Sequence, residues 1–151
     1  MTSRLGLGGL AGLILALALG ASSCSEKGGA DKFVGMWTYA GAINPNCMNI
    51  AAIDLTGDTV TITATDSSHV LVDLAGYCMV NCAVDGFTAT AEAGQGCTFP
   101  IPGVGNQTIS ITKWTLTMSG DNTITSDFTG AILICAPTGT GTLTRQGDAG
   151  T

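Results

Sequence analysis

The segment "QTISITKWTLTMSG", residues 107–120, decides the fold class of this sequence. Its apolar residues alternate with Thr and Ser, a pattern that is typical of a β-strand with one buried face. The alternation changes phase, because Ile109 and Ile111 are apolar at odd positions whereas Trp114 is apolar at an even one. One extra residue near Lys113 would produce this shift, so we expect a β-bulge that lets a long strand coil around a barrel or turn the corner of a sandwich.

Period-2 alternation continues on both sides of this segment. The runs "TVTITAT" (59–65), "FTATAEA" (87–93) and "GTLTR" (141–145) each place Thr opposite apolar residues, and turn-forming pairs such as Asp85-Gly86 separate them. No segment after the N-terminal apolar run has helical periodicity of useful length. We therefore predict an all-β protein, an antiparallel up-and-down barrel of about eight strands, with a two-sheet β-sandwich as the alternative.

The N-terminus reads "MTSRLGLGGLAGLILALALGASSC", with one arginine before an apolar run and small residues after it, which is the layout of a secretory signal. We expect a signal peptide over residues 1–23, a flexible polar tether over 24–32 and a single β domain over 33–151. Cys24 follows the small residues and resembles the lipidated cysteine of bacterial lipoproteins. That resemblance implies a lipid anchor on Cys24 and, with Ser25 next, an outer-membrane destination; ordinary secretion with an unmodified Cys24 is the alternative.

The charge balance excludes one class of partner. The chain has 5 Lys and Arg residues against 11 Asp and Glu residues, a net charge of -6. Phosphate backbones are bound by clustered Lys and Arg, so we expect no nucleic-acid partner. The same balance disfavours electrostatic attachment to anionic lipid, so a covalent lipid would have to provide the membrane attachment.

Five cysteines lie beyond residue 24, and in an exported chain they are disulfide candidates. We expect Cys47 to bridge Cys135, which would tie the two ends of the sheet together. For the second bridge we expect Cys82 to pair with Cys97 across the Asp85-Gly86 hairpin, which leaves Cys78 unpaired; a Cys78 to Cys97 bridge is the alternative.

The sequence offers little for catalysis or metal binding. His69 is the only histidine, so a zinc set built on "CMVNC" (78–82) lacks ligands. His69 and Asp73 would lie about 13 Å apart along a strand, too far for a hydrogen bond. We therefore expect His69 to be an exposed residue at a strand start, and we predict no catalytic residue, no metal and no cofactor.

Two short motifs at the ends of the domain resemble the lipocalin and avidin-type (calycin) barrels. Gly35-Met36-Trp37 lies in the first strand, and Arg145 lies in the last. In those families a first-strand Gly-x-Trp packs at the closed end and a basic residue from the final strand covers it. The layout also resembles small, threonine-rich bacterial lipoproteins of uncharacterised function, with a "GxWTY" start and a "GTLTR" end. The resemblance implies that Trp37 and Arg145 form a barrel-closing pair.

We expect a monomeric, exported, non-catalytic binding or interaction module, anchored in the cell envelope and presenting loops to an envelope protein. The alternative is a lipocalin-like carrier of a small apolar ligand. Besides the Trp37–Arg145 pair, the expected pocket residues are the apolar ones that alternation turns inward: Val60, Ile62, Phe87, Ala89, Trp114 and Leu116.

Overall fold

The computed structural model describes residues 29–147. A short 3₁₀ helix, Ala30–Lys32, precedes ten strands. The strands are β1 (Gly35–Asn44), β2 (Ile53–Asp54), β3 (Thr59–Ala64), β4 (His69–Leu74), β5 (Cys78–Asp85), β6 (Thr88–Ala91), β7 (Gly96–Ile101), β8 (Gly105–Gly120), β9 (Thr123–Ala131) and β10 (Thr138–Arg145).

Antiparallel pairing closes the sheet into a ring. The order around it is β1-β3-β4-β5-β6-β8-β9-β10, and β10 pairs back onto β1 from Trp37 opposite Arg145 to Asn44 opposite Thr138. β2 lies beside the far half of β1 and β7 beside the first half of β8, so they extend β3 and β6 respectively. The protein is thus a closed, antiparallel, eight-stranded up-and-down barrel. This confirms the predicted barrel, agrees with the fold that the calycin resemblance implies, and rules out the sandwich.

The phase change in β8 is a bulge. The register between β8 and β9 shifts between Ile111 and Lys113, which confirms the prediction from the sequence. The extra residue lets Ile111 and Trp114, three positions apart, both lie buried in the barrel. The bulge lets β8 bend along its length. Its first half pairs with β7, and its second half pairs with β6 on the same side.

The inward residues form a continuous core. Of the expected pocket residues, Val60, Ile62, Ala89, Trp114 and Leu116 are all buried there. The expectation for Phe87 was wrong: its side chain is 46% exposed. Asp85 pairs directly with Thr88, so Gly86 and Phe87 are the two central residues of the hairpin turn, one position later than expected, and inward alternation resumes only at Ala89.

One of the two expected disulfides requires correction. Cys47 bridges Cys135, as expected, which joins the loop after β1 to the turn between β9 and β10. The second bridge is Cys78–Cys97, the alternative, and not Cys82–Cys97. Cys82 lies opposite Ala91, near the end of β6, whereas Cys97 lies in β7 beside the start of β5. Two disulfides are typical of a protein that folds in an oxidising, exported environment.

The folded domain also begins earlier than expected. Ala30, placed in the predicted tether, is fully buried, and its amide donates a hydrogen bond to the Ser67 carbonyl at 3.3 Å. The predicted signal peptide (1–23) and residues 24–28 of the predicted tether, Cys24 among them, lie outside the described residues. Within residues 29–147, no helix has the length and apolar character needed to cross a membrane.

Candidate functional site

The N-terminal segment plugs one end of the barrel. The 3₁₀ turn folds Ala30 and Phe33 into the core, where both are fully buried. The Trp37 indole nitrogen donates a hydrogen bond to the Phe33 carbonyl at 2.9 Å, so the large apolar ring is buried without leaving its N–H unpaired. This end of the barrel is therefore closed by the chain's own residues.

Arg145 holds this closure together. Its guanidinium lies 4.2 Å from the centre of the Trp37 ring, as the calycin resemblance implies. The same group donates hydrogen bonds to three carbonyl oxygens, those of Val34 at 2.7 Å, Lys32 at 2.9 Å and Asp121 at 3.3 Å. One side chain thus links the last strand, the N-terminal turn and the turn between β8 and β9.

The packing of Arg145 explains the glycine of the Gly-x-Trp motif. Gly35 has φ +146°, and a Cβ built there would lie 2.6 Å from Arg145 Nη1. A side chain at position 35 would therefore be both conformationally strained and in steric conflict with the guanidinium. Glycine is needed here so that the arginine can approach the backbone.

An open cleft lies over the closed end, and we call it the basal cleft. It has a volume of about 610 Å³, within the rough range of 300–1,000 Å³ for small-molecule sites. Three turns form it: the N-terminal 3₁₀ turn, the β5–β6 turn and the β8–β9 turn. Its lining residues are Asp31, Lys32, Phe87, Met118, Ser119, Gly120, Asp121, Asn122 and Arg145.

The basal cleft combines aromatic, cationic and anionic groups. The Lys32 ammonium lies 4.1 Å above the centre of the Phe87 ring, which keeps this half-exposed ring beside a positive charge. The carboxylates of Asp31 and Asp121 contribute negative charge to the same lining. The cleft can therefore offer a ligand an apolar surface and charged partners of either sign.

The barrel interior, in contrast, is filled. The cavity between its inward side chains has a volume of about 10 Å³, close to the roughly 10–15 Å³ needed to hold one water molecule. The residues around it are Tyr39, Ile43, Leu55, Leu74, Cys97, Phe99, Trp114 and Phe128. The interior residues that we expected to line a pocket act as packing in this structure.

A small polar network lies inside this core. Ser126 is 2% exposed, and its hydroxyl accepts hydrogen bonds from Trp114 Nε1 at 2.9 Å and from the Tyr39 hydroxyl at 3.4 Å. The Tyr39 hydroxyl is a donor at neutral pH, and burial raises its pKa further above the usual 10.0. Because all three polar groups have a hydrogen-bond partner, we assign the network a structural role.

His69 lies on the outer wall, at the start of β4. Its Nδ1 is 2.9 Å from Asp66 Oδ2, and its Nε2 is 3.8 Å from Glu92 Oε1. Hydrogen bonds lower the pKa of Asp66 to about 2, and the bond from the Ser68 amide contributes more than the bond from His69. The Ser68 hydroxyl lies near the same ring nitrogen as Asp66, 3.1 Å away. A serine triad needs the hydroxyl and the carboxylate on opposite nitrogens, so this group lacks that geometry.

Among the residues that the structure describes, no three His, Cys, Asp or Glu side chains are grouped so that they could hold a metal ion.

Comparison with known proteins adds little to these observations. No protein-family model matches the chain, and no curated protein matches it. A solved structure with a similar fold is that of EF1p2_mFAP2b bound to DFHBI, which has 16% sequence identity and a TM-score of 0.46. The alignment covers 81% of this chain and 100% of that chain. The barrel assignment therefore rests on the strand pairing of this chain.

Sequence reasoning brought Trp37 and Arg145 together but missed the basal cleft. It assigned Lys32 to the tether and Phe87 to the interior, whereas both line the cleft. The one visible signal was the turn sequence "SGDN" (119–122), which forms one of its walls.

Proposed function

We propose that this protein is an exported, non-catalytic binding module that holds a small ligand in the basal cleft. The contrast between a filled interior of about 10 Å³ and an open cleft of about 610 Å³ carries the proposal. Ligand sites are usually the largest concave surfaces of a protein, with a few polar groups that fix orientation. The cleft has the volume and the polar groups of such a site, and the interior lacks the space.

The lining indicates the kind of ligand. Phe87 and Met118 offer an apolar surface, and Lys32 lies beside the Phe87 ring. Asp31 and Asp121 add carboxylates within the same lining. A ligand with an apolar or aromatic part and a charged group fits this combination better than a purely apolar molecule does.

The proposed setting is the surface of a cell envelope, where a lipid on Cys24 anchors the chain. Gly29, the first described residue, lies at the same end of the barrel as the basal cleft, because the 3₁₀ turn that follows it forms one wall of the cleft. A chain anchored a few residues earlier would therefore hold the cleft close to the membrane. The module acts as a monomer and needs no metal or cofactor.

Native mass spectrometry of the full protein, purified from its natural source, tests this proposal. We expect one small molecule retained per chain and a lipid mass on the fragment that contains Cys24. The Phe87→Ala variant should lose the small molecule, since the side chain that Lys32 covers would be gone. Met79→Ala is the matched control, because Met79 is 63% exposed on the wall of β5, away from the cleft.

Thermal unfolding of both variants checks that neither has lost the fold. Retention of the ligand by Phe87→Ala, or an empty protein in every preparation, would count against the cleft as a binding site. The lipid mass on Cys24 is read separately, so the anchor and the ligand site can succeed or fail independently.

A further inference from the structure

Three large apolar side chains are almost fully exposed at the other end of the barrel. Met48 is 93% exposed, Leu133 is 93% exposed and Ile134 is 101% exposed. Met48 lies in the loop after β1, and Leu133 and Ile134 lie in the turn between β9 and β10. We call these three residues the apical tip.

The backbone at the apical tip is unusual for its sequence. Ile132 and Cys135 exchange backbone hydrogen bonds of 3.1 and 2.8 Å, so Leu133 and Ile134 are the two central residues of a tight turn. Leu133 has φ +50°, a conformation that favours Gly, Asn or Asp. A branched apolar residue here is strained and exposed at once, and local strain of this kind concentrates at functional positions.

The tip is also held rigidly. Cys47, next to Met48, is bonded to Cys135, next to Ile134, with their Cα atoms 5.6 Å apart. The Asn46 side-chain amide donates hydrogen bonds to the Ala136 carbonyl at 2.8 Å and to the Thr138 hydroxyl at 3.1 Å. Because both loops are already fixed, little ordering would accompany contact with a partner.

No charged side chain belongs to the two segments that carry the tip. Residues 44–53 and 128–144, and the neighbouring hairpin 101–112, contain no Asp, Glu, Lys, Arg or His. At the same end, Asp54, Asp58 and Asp73 lie in or beside the β2–β3 and β4–β5 turns. The tip itself is flanked by neutral amide and hydroxyl groups, including those of Asn44, Asn46, Asn49 and Thr138. An apolar layer could therefore receive the tip without desolvating any charge.

The size of the tip argues against a folded protein as its occupant. Three exposed apolar side chains of roughly 100 Å² each provide on the order of 300 Å² of burial. A stable protein interface needs about 800 Å² on each partner, of which roughly 450 Å² is apolar. The tip is small, almost fully exposed and free of charged side chains, which suits shallow insertion into the apolar layer of a membrane.

We infer that the apical tip inserts into a neutral, zwitterionic lipid surface. The net charge of -6 disfavours an anionic surface, since the protein as a whole would be repelled by it. The tip and the N-terminal entry lie at opposite ends of β1, which is about 30 Å long at 3.3 Å per residue. Contact at the tip is thus separate from attachment through the N-terminus, and in a chain anchored there the tip would meet a second lipid surface that faces the first.

Hydrogen–deuterium exchange of the full chain with phosphatidylcholine vesicles tests this inference. The readout is local, because the apolar N-terminal run could bind lipid on its own: amide exchange is followed in residues 45–52 and 131–138. We expect vesicles to slow exchange in both segments. Leu133→Asn combined with Ile134→Ser should abolish that slowing, and Asn suits the positive φ at position 133, so the turn is preserved.

Met79→Ser is the matched control and should behave as the wild type, because Met79 is exposed on the barrel wall and not at the tip. Unchanged exchange at the tip in vesicle-associated protein would overturn the inference. Protection that requires phosphatidylserine would overturn it as well, and so would protection by an envelope protein fraction that pure lipid fails to reproduce.

Discussion

Arg145 and Trp37 show how two side chains far apart in sequence close the barrel. The tryptophan supplies the buried area, and the arginine covers it while satisfying three backbone carbonyl oxygens. Lysine could supply the charge at position 145, but it lacks the planar fork that reaches several acceptors from one stacked position. The closure therefore depends on the shape of the guanidinium and not on its charge alone.

Replacing Arg145 by Ala should destabilise the protein by about 2 kcal/mol, because the stacking on Trp37 and the charge-assisted hydrogen bonds are lost together. Arg145→Lys should recover only part of that loss. Lys113→Ala is the control, since Lys113 is an exposed cation on the wall of β8, and it should change stability by less than about 0.5 kcal/mol. Urea unfolding measures all three, and equal losses for Arg145→Ala and Lys113→Ala would contradict the assigned role.

Gly35→Ala should cost about 3 kcal/mol, from backbone strain and from overlap with Arg145. Gly57→Ala separates the two causes, because Gly57 also has a positive φ, +94°, but nothing lies within 4 Å of a Cβ built there. It should cost about 1 kcal/mol, from strain alone. If thermal unfolding shows the same loss for both variants, Arg145 does not restrict position 35.

Cys82 should be inert to thiol reagents in the native state. Burial, with a smaller contribution from Glu92, raises the pKa of its thiol to about 12 from a usual value of 9.0. Since the folded pKa is the higher one, this group's effect on stability is constant below pH 9 and turns unfavourable as the pH rises toward 12. Peptide-resolved alkylation should label Cys82 only after denaturation; rapid native labelling at pH 8 would show that the thiol is accessible.

The roles of individual residues could be predicted where a recognisable motif contained them. Trp37 and Arg145 were paired because Gly-x-Trp and the arginine of the last strand are a recognisable combination. Phe87 was misplaced because alternation gives the face of a residue only if the residue belongs to the strand, and the turn begins one position later than the Asp-Gly pair indicates.

At the scale of elements, the two disulfides connect different parts of the barrel. Cys47–Cys135 joins two loops at the apical end, and Cys78–Cys97 joins β5 to β7. β7 has no β-partner other than β8 in the described barrel. The second bridge therefore fastens the side of β7 that pairing leaves open.

Removing each bridge by paired Cys→Ser changes should cost different amounts. The sequence separations are 88 for Cys47–Cys135 and 19 for Cys78–Cys97, and the chain-entropy model gives about 4 to 5 and about 3 kcal/mol. Denaturant unfolding of the two double variants measures the difference. A larger loss for Cys78–Cys97 would show that fastening β7 outweighs the loop-length effect.

The sequence predicted only some features of the strands. The bulge in β8 was predicted because a one-residue phase change has few other causes. The break between β6 and β7 was not predicted. The turn "EAGQG" resembles any loop, and it gives no sign that β7 pairs with β8 on the same side as β6 does. That break decides which cysteine meets Cys97, so the pairing could not be chosen in advance.

For the whole molecule, strand number, closure and antiparallel order were predictable because alternation and short turns leave few topologies. Whether the barrel was hollow could not be predicted, because side-chain volume and strand tilt together set the interior space. The structure shows a filled interior between two unlike ends: a charged cleft beside the N-terminal turn and an uncharged apolar tip. We therefore expect ligands to bind at the ends of the barrel and not inside it.

An NMR chemical-shift map with a mixture of small aromatic and charged molecules tests where ligands bind. We predict that perturbed amides and methyl groups cluster at Lys32, Phe87, Met118 and Asn122, which line the basal cleft. Perturbations centred on the interior residues Leu74, Phe99 and Trp114, with the cleft unaffected, would contradict this expectation and favour a carrier that opens its barrel.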